Sequence, residues 1–121
     1  MMRRSVLCLG LVALGFGAAP AQANQLAEIM QRRELRCATF ADVPPFAAPD
    51  PRTREMVGHD VDLCRAIARR WGVQARITPV SVEARVPEVR LGRVDLTIAN
   101  LAYTLGRAEQ IQFSDPYYMA K

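Results

Sequence analysis

At 121 residues the chain has room for one small domain at most. Its formal net charge of +4 at pH 7 falls to about +2 once Arg3 and Arg4 are assigned to a leader, and the remaining arginines are scattered with few aromatics between them, which argues against nucleic-acid binding. The only histidine, His59, has no histidine or cysteine at ligand spacing, so neither a metal centre nor a cofactor is expected.

The chain opens with a positive start at Met1 to Arg4, an apolar run over 6–16 and a small-residue site at Ala21-Gln22-Ala23. That tripartite layout predicts a secretory signal over 1–23, cleaved before Asn24, and hence an exported protein. The apolar run is too short and glycine-broken to span a membrane. Residues 25–33 follow as a short amphipathic helix with Leu26, Ile29 and Met30 on one side, then 35–40 as an apolar strand. Pro44 and Pro45 imply an extended loop, and 49–58 is polar and turn-rich. Asp60 is expected to N-cap a helix running to Trp71, with Gly72 as its left-handed C′ residue.

Residues 73–80 alternate as a half-buried strand, 82–91 read as a helix with Pro87 in its first turn, and 94–99 read as a third strand. Thr104 is the expected N-cap of a last helix reaching Ile111, and 113–118 look extended. Strand, helix, strand, helix, strand implies parallel pairing with right-handed crossovers, an open α/β sheet with flanking helices. Cys37 falls in a strand and Cys64 on an apolar helix face with Ile67, Ala68 and Trp71. Export permits a bridge between them, but small buried thiols are the simpler reading.

Arg107 sits just inside a helix start, where a cation is disfavoured by roughly 0.3–1 kcal/mol. A carboxylate or phosphate bound there turns the conflict into an asset, whereas pairing with Glu109 or Asp115 would make it an ordinary surface arginine. Ligands of open α/β sheets gather at the carboxyl ends of strands. The loops 41–46 and 100–103 qualify, and Arg107 overlooks the second.

Four segments together, LRCATFADVPPF (35–46), VGHDVDLCRAIARRWGV (57–73), ARVPEVRLGRVDLTIANL (84–101) and TLGRAEQIQFSDPYY (104–118), carry a family pattern. The chain resembles the N-terminal half of a family 3 periplasmic solute-binding protein, the receptor class of polar amino-acid ABC transporters. The resemblance implies a type II periplasmic-binding-protein-like lobe over 24–121, incomplete before a second lobe. It also implies a monomeric receptor that takes an amino acid by its α-carboxylate and presents it to a membrane permease. By the same resemblance Arg107 clasps that carboxylate, a task suited to a planar bidentate donor. Asn100 and Ala102 offer a backbone carbonyl and N–H, and Phe40, Val43 and Val82 line the side-chain pocket.

Asp60 and Asp62 read as helix-start residues, since no partner for acid–base work lies near them. His59 replaces the usual aromatic of the Gly-aromatic-Asp-Val-Asp-Leu pattern, and Ala102 replaces a commonly hydroxylated residue. Phe40 takes a position that often carries a polar or charged group, which points to a neutral polar or apolar ligand side chain. Competing readings are an enzyme on the same scaffold, of cyclohexadienyl dehydratase or lytic transglycosylase-associated type, and the sensor domain of a histidine kinase. Without a second lobe, residues 24–121 are expected to be marginally stable, to expose a strand edge and to bind amino acids poorly.

Overall fold

The computed structural model describes residues 24–119; the expected leader over 1–23 and its cleavage site lie outside the described residues. The first helix, α1 (Gln25–Arg32), opens with the Asn24 side chain accepting from the Ala27 N–H and ends at Arg33, which is left-handed at φ 59°. Of its expected apolar face only Ile29 is buried, while Leu26 and Met30 stay exposed. β1 (Glu34–Phe40) follows. The diproline segment after it is a tight turn rather than an extended loop, because the Val43 carbonyl accepts from both Phe46 N–H (2.9 Å) and Ala47 N–H (3.1 Å). The polar stretch beyond holds a short antiparallel hairpin, β2 (Ala48–Pro49) and β3 (Met56–Val57).

The start of α2 (His59–Trp71) corrects the capping expectation. Gly58 is the N-cap, and the first helical N–H groups, of His59 and Asp60, donate to the carbonyls of Pro45 (3.0 Å) and Phe46 (2.9 Å). With these donors satisfied by backbone, no side-chain cap is needed. Gly58 has φ 131°, and a Cβ there would lie 2.4 Å from the Phe46 oxygen, so only glycine lets the turn lie this close. Asp60 is instead buried inside the first turn. The other end is as expected, with Gly72 left-handed at φ 67°.

Next come β4 (Gln74–Val80), α3 (Arg85–Arg90), β5 (Leu96–Thr97) and α4 (Leu105–Ala108). The last three are shorter than the 82–91, 94–99 and Thr104-to-Ile111 readings. β5 has a ladder on one side only, although Asp95 and Ile98 N–H groups still donate to the Arg36 (2.8 Å) and Ala38 (2.9 Å) carbonyls. Residues 113–118 form no strand.

The main sheet runs β4-β1-β5, all parallel, with Phe40 level with Val80 and Ala38 with Thr97. On one side of β1, Leu35 and Cys37 pack with Ile29, Cys64, Ala68 and Ile98; on the other, Ala38 packs with Val80 and Val94. A parallel strand covered on both faces reads as a continuous apolar run, as 35–40 does. Cys37 and Cys64 form a disulfide with Cα atoms 6.3 Å apart, which overturns the reading as free thiols. The reason is packing: β1 and α2 present the two cysteines to the same core, within bridging range.

The amino ends of the strands are tied by Asp95, which is buried. Its carboxylate accepts from Arg32 (2.6 Å), from the Arg36 backbone N–H (2.8 Å) and from the Arg36 guanidinium (2.9 Å). Burial alone raises the Asp95 pKa, but these donors outweigh it and hold the group below the ordinary carboxylate value.

Two outcomes follow from these ties. Closing a loop of 27 residues is worth about 3–4 kcal/mol on the chain-entropy account. Paired Cys37→Ala and Cys64→Ala substitutions are expected to lower urea stability by that much, and an unchanged midpoint would show the core does not depend on the bridge. Because the folded Asp95 pKa is depressed, its stabilisation is complete above the unfolded value and is lost as pH falls through the folded one. Asp95→Asn should therefore flatten the acid limb of a stability-versus-pH curve and cost roughly 2–4 kcal/mol near neutrality.

Candidate functional site

Parallel register places the carboxyl ends of β1, β4 and β5 at one edge, so Phe40, Val82 and Asn100 come from three separate segments to one neighbourhood. Phe40 ends β1 and Val82 lies two residues past β4, 55% exposed. Asn100 follows β5 with φ 47°, a left-handed turn that carries the chain to exposed Ala102 and Tyr103. Val43 belongs to the turn after β1, bridged to Ala47.

Arg107 is placed by α4. The Thr104 hydroxyl accepts from the Arg107 N–H at 3.3 Å, as expected of an N-cap, and helps begin that single turn. The Arg107 guanidinium then folds back to donate to the Ala102 carbonyl at 2.8 Å. It pairs with neither Glu109 nor Asp115 among the described residues. The ordinary surface ion pair is therefore not what this arginine forms.

The residue that joins the others is one the sequence reading missed. Arg85 opens α3 and is buried, with its guanidinium 5.1 Å above the Phe40 ring centre. Its Nε donates to the Val82 carbonyl at 2.9 Å, and one Nη donates to the Ala99 (3.0 Å) and Asn100 (3.2 Å) carbonyls. Thus Arg85 touches three of the six expected site residues: Phe40, Val82 and Asn100. Burial lowers its pKa first and the nearby Arg107 charge lowers it further, although a guanidinium stays protonated throughout. The clue available in sequence was the one that singled out Arg107, an arginine in the first turn of a helix.

The site can therefore hold an anion and align carbonyl acceptors. Guanidinium groups and backbone carbonyls cannot shuttle protons at neutral pH. A recess of about 480 Å³ lies mostly to one side of these residues. It flanks the open side of β5, between Leu63, Ile67, Leu96 and Ile98 and the aromatic segment around Phe113 and Tyr118. It takes in Asn100 and Ala102 but not Arg107, Phe40, Val43 or Val82, and its lining suits packing rather than anion recognition.

A second cluster sits at the start of α2. His59 Nδ1 is 2.9 Å from Asp60 Oδ1, and the imidazole stacks on Tyr117, with centroids 6.0 Å apart and planes 15° off parallel. Phe46 meets Tyr118 edge-on at 5.1 Å. Asp60 Oδ2 is buried without a partner among the described residues. Burial raises the Asp60 pKa against the opposing pull of His59. Tyr117 is raised as well, first by burial and then by the Asp60 charge.

Residues 35–121 match the family of bacterial extracellular solute-binding proteins, family 3. The histidine-binding periplasmic protein of Escherichia coli (strain K12) is 30% identical over 119 residues; the match takes in 98% of this chain and 43% of that relative's length. The chain is thus similar to less than half of that relative. Among solved structures, the ancestral amino acid-binding protein AncCDT-1, a precursor of cyclohexadienyl dehydratase, superposes with a TM-score of 0.73 at 34% identity over 77% of this chain and 40% of that one. The arginine-bound form of domain 1 from TmArgBP gives 0.71 at 36% identity, over 75% of this chain and 71% of that domain.

The Tyr117 environment is directly measurable. Ultraviolet titration of tyrosine ionisation should show one phenol titrating above the ordinary value, assigned by its loss in Tyr117→Phe. Asp60→Asn should move that phenol back down, and a phenol that ignored Asp60→Asn would mean the carboxylate does not face it.

Proposed function

Because the chain belongs to the bacterial extracellular solute-binding proteins, family 3, we propose that it contributes to capturing an amino acid in the periplasm for the membrane permease of an ABC transporter. In this reading residues 1–23 are a cleavable signal, and 24–121 form the N-terminal part of the first lobe. Arg107 takes the α-carboxylate in a bidentate grip. The Asn100 carbonyl and the Ala102 N–H meet the α-amino and carboxylate groups, and Phe40, Val43 and Val82 face the ligand side chain.

The observation that carries the reading is the Arg107 guanidinium. It sits at the strand ends, anchored to the Ala102 carbonyl, and is in no ion pair among the described residues. An arginine steadied by a neutral carbonyl keeps its charge available for an incoming carboxylate. Arg85 adds a second positive charge beside it, which favours a neutral polar or apolar ligand side chain over a cationic one. The site's chemistry supports binding over catalysis, since its guanidinium groups and backbone carbonyls do not trade protons near neutral pH.

The likeness to AncCDT-1, a precursor of an enzyme, supports a second reading, a dehydratase on the same scaffold. Turnover of a cyclohexadienyl substrate by the whole protein would favour it over a receptor. The receptor reading expects no turnover and a thermal shift with one or a few amino acids, worth about 2.7 kcal/mol at a hundred times Kd. Arg107→Ala should remove about 1.5–3 kcal/mol of that affinity, roughly 10- to 150-fold by calorimetry. Equal affinity for wild type and Arg107→Ala would end the carboxylate-clamp assignment.

A further inference from the structure

We infer that Arg85 is the positioning residue of this site: by holding the carbonyls of Val82, Ala99 and Asn100, its guanidinium fixes the turn from which Ala102 anchors Arg107. The contacts form one continuous path. Arg85 donates to Ala99 and Asn100, Ala102 lies two residues on, and the Ala102 carbonyl accepts from Arg107. The hold is reciprocal, because the Thr97 hydroxyl at the end of β5 donates to the Arg85 carbonyl at 2.7 Å. Side chain and backbone of Arg85 therefore clamp β5 and the residues just after it to the start of α3.

The turn needs such a brace. β5 is two residues long and laddered to β1 alone, and the last sheet-type bond on that side is Ile98 N–H to the Ala38 carbonyl. Beyond it Asn100 adopts a left-handed backbone, which a non-glycine residue holds only where its surroundings fix it. Burying a guanidinium without a carboxylate is costly, and an aliphatic side chain would fill the space without that cost. What the guanidinium adds is a rigid planar fork that meets three carbonyls of two segments at once. The Phe40 ring on one face leaves it little room to swing away.

Two measurements decide the inference, the second of which rests on the carboxylate clamp proposed above. In the ligand-free chain, amide exchange at Ile98, Ala108 and Glu109 should speed up tenfold or more in Arg85→Met, with β1 and β4 amides unchanged. Arg85→Lys, which keeps the charge but loses the fork, should behave the same way, and it serves alone if Arg85→Met does not fold. Thr97→Val should move the same amides in the same direction. Unchanged exchange at those amides in the folded Arg85 variants would overturn the inference.

The second readout, at pH 8, is the ratio of affinities for the amino acid that wild type binds best over its decarboxylated amine, such as L-glutamine over 4-aminobutanamide or L-leucine over 3-methylbutylamine, a pair that differs only in the carboxylate. General destabilisation weakens both members of a pair alike, whereas misplacing Arg107 costs only the member with the carboxylate. Arg85→Met should shrink the ratio tenfold or more, and Arg85→Lys should not restore it; an unchanged ratio overturns the positioning role. Should wild type bind none of the twenty amino acids, the amino-acid reading fails, and amide exchange alone decides whether Arg85 braces the turn.

Discussion

The parallel pairing of β1 with neighbours on both edges sets the position of every other element. β4 lies along its full length, β5 touches its middle, α1 and α2 cover one face, and α3 shields the other. A strand so enclosed has no polar face to offer, and its sequence accordingly lacks alternation. The disulfide from Cys37 fixes α2 to this strand at the centre of the core. The backbone carbonyls of Pro45 and Phe46 fix the amino end of the same helix, with Gly58 leaving room for the approach. One strand thus determines where the two ends of the sheet lie, and the ends differ sharply in charge chemistry.

At the amino ends, Arg32 and Arg36 converge on one buried carboxylate, Asp95. Those charges are consumed in holding α1, β1 and β5 together. At the carboxyl ends, Arg85 and Arg107 rest on neutral carbonyls, and burial followed by the Arg107 charge lowers the Arg85 pKa. Cations paired internally with an acid serve the fold, whereas Arg107, steadied by a carbonyl and in no ion pair among the described residues, keeps its charge available. The same residue type therefore has a structural task at one end of the sheet and a candidate binding task at the other.

The likeness to an arginine-bound single domain bears on how much of a receptor one lobe can be. Domain 1 of TmArgBP has been solved in an arginine-bound form. The expectation that residues 24–121 bind poorly rested on the second lobe that the family resemblance implies. In the proposed reading the groups that meet a carboxylate, Ala102 and Arg107, lie on the stretch from β5 to α4. The chain matches 43% of the length of its histidine-binding relative.

Local rules made much of this legible in the sequence. Periodicity gave the helices and the strands of the main sheet in order, alternation of strand and helix gave parallel pairing, and Gly72 and Thr104 were recognisable as caps because capping needs only near neighbours. Arg107 stood out because a cation at a helix start is a local conflict. Three things were decided only by the tertiary structure. The Cys37–Cys64 bond depends on two faces meeting across 27 residues of chain. The capping of α2 was taken from Asp60 by carbonyls of a turn 13 or more residues upstream. Arg85 became central because the carbonyls of Ala99 and Asn100, 14 and 15 residues along the chain, join that of nearby Val82 at its guanidinium. Sequence fixes what each residue can donate or accept; which partner it meets depends on how strands and helices pack, and packing is not a local property.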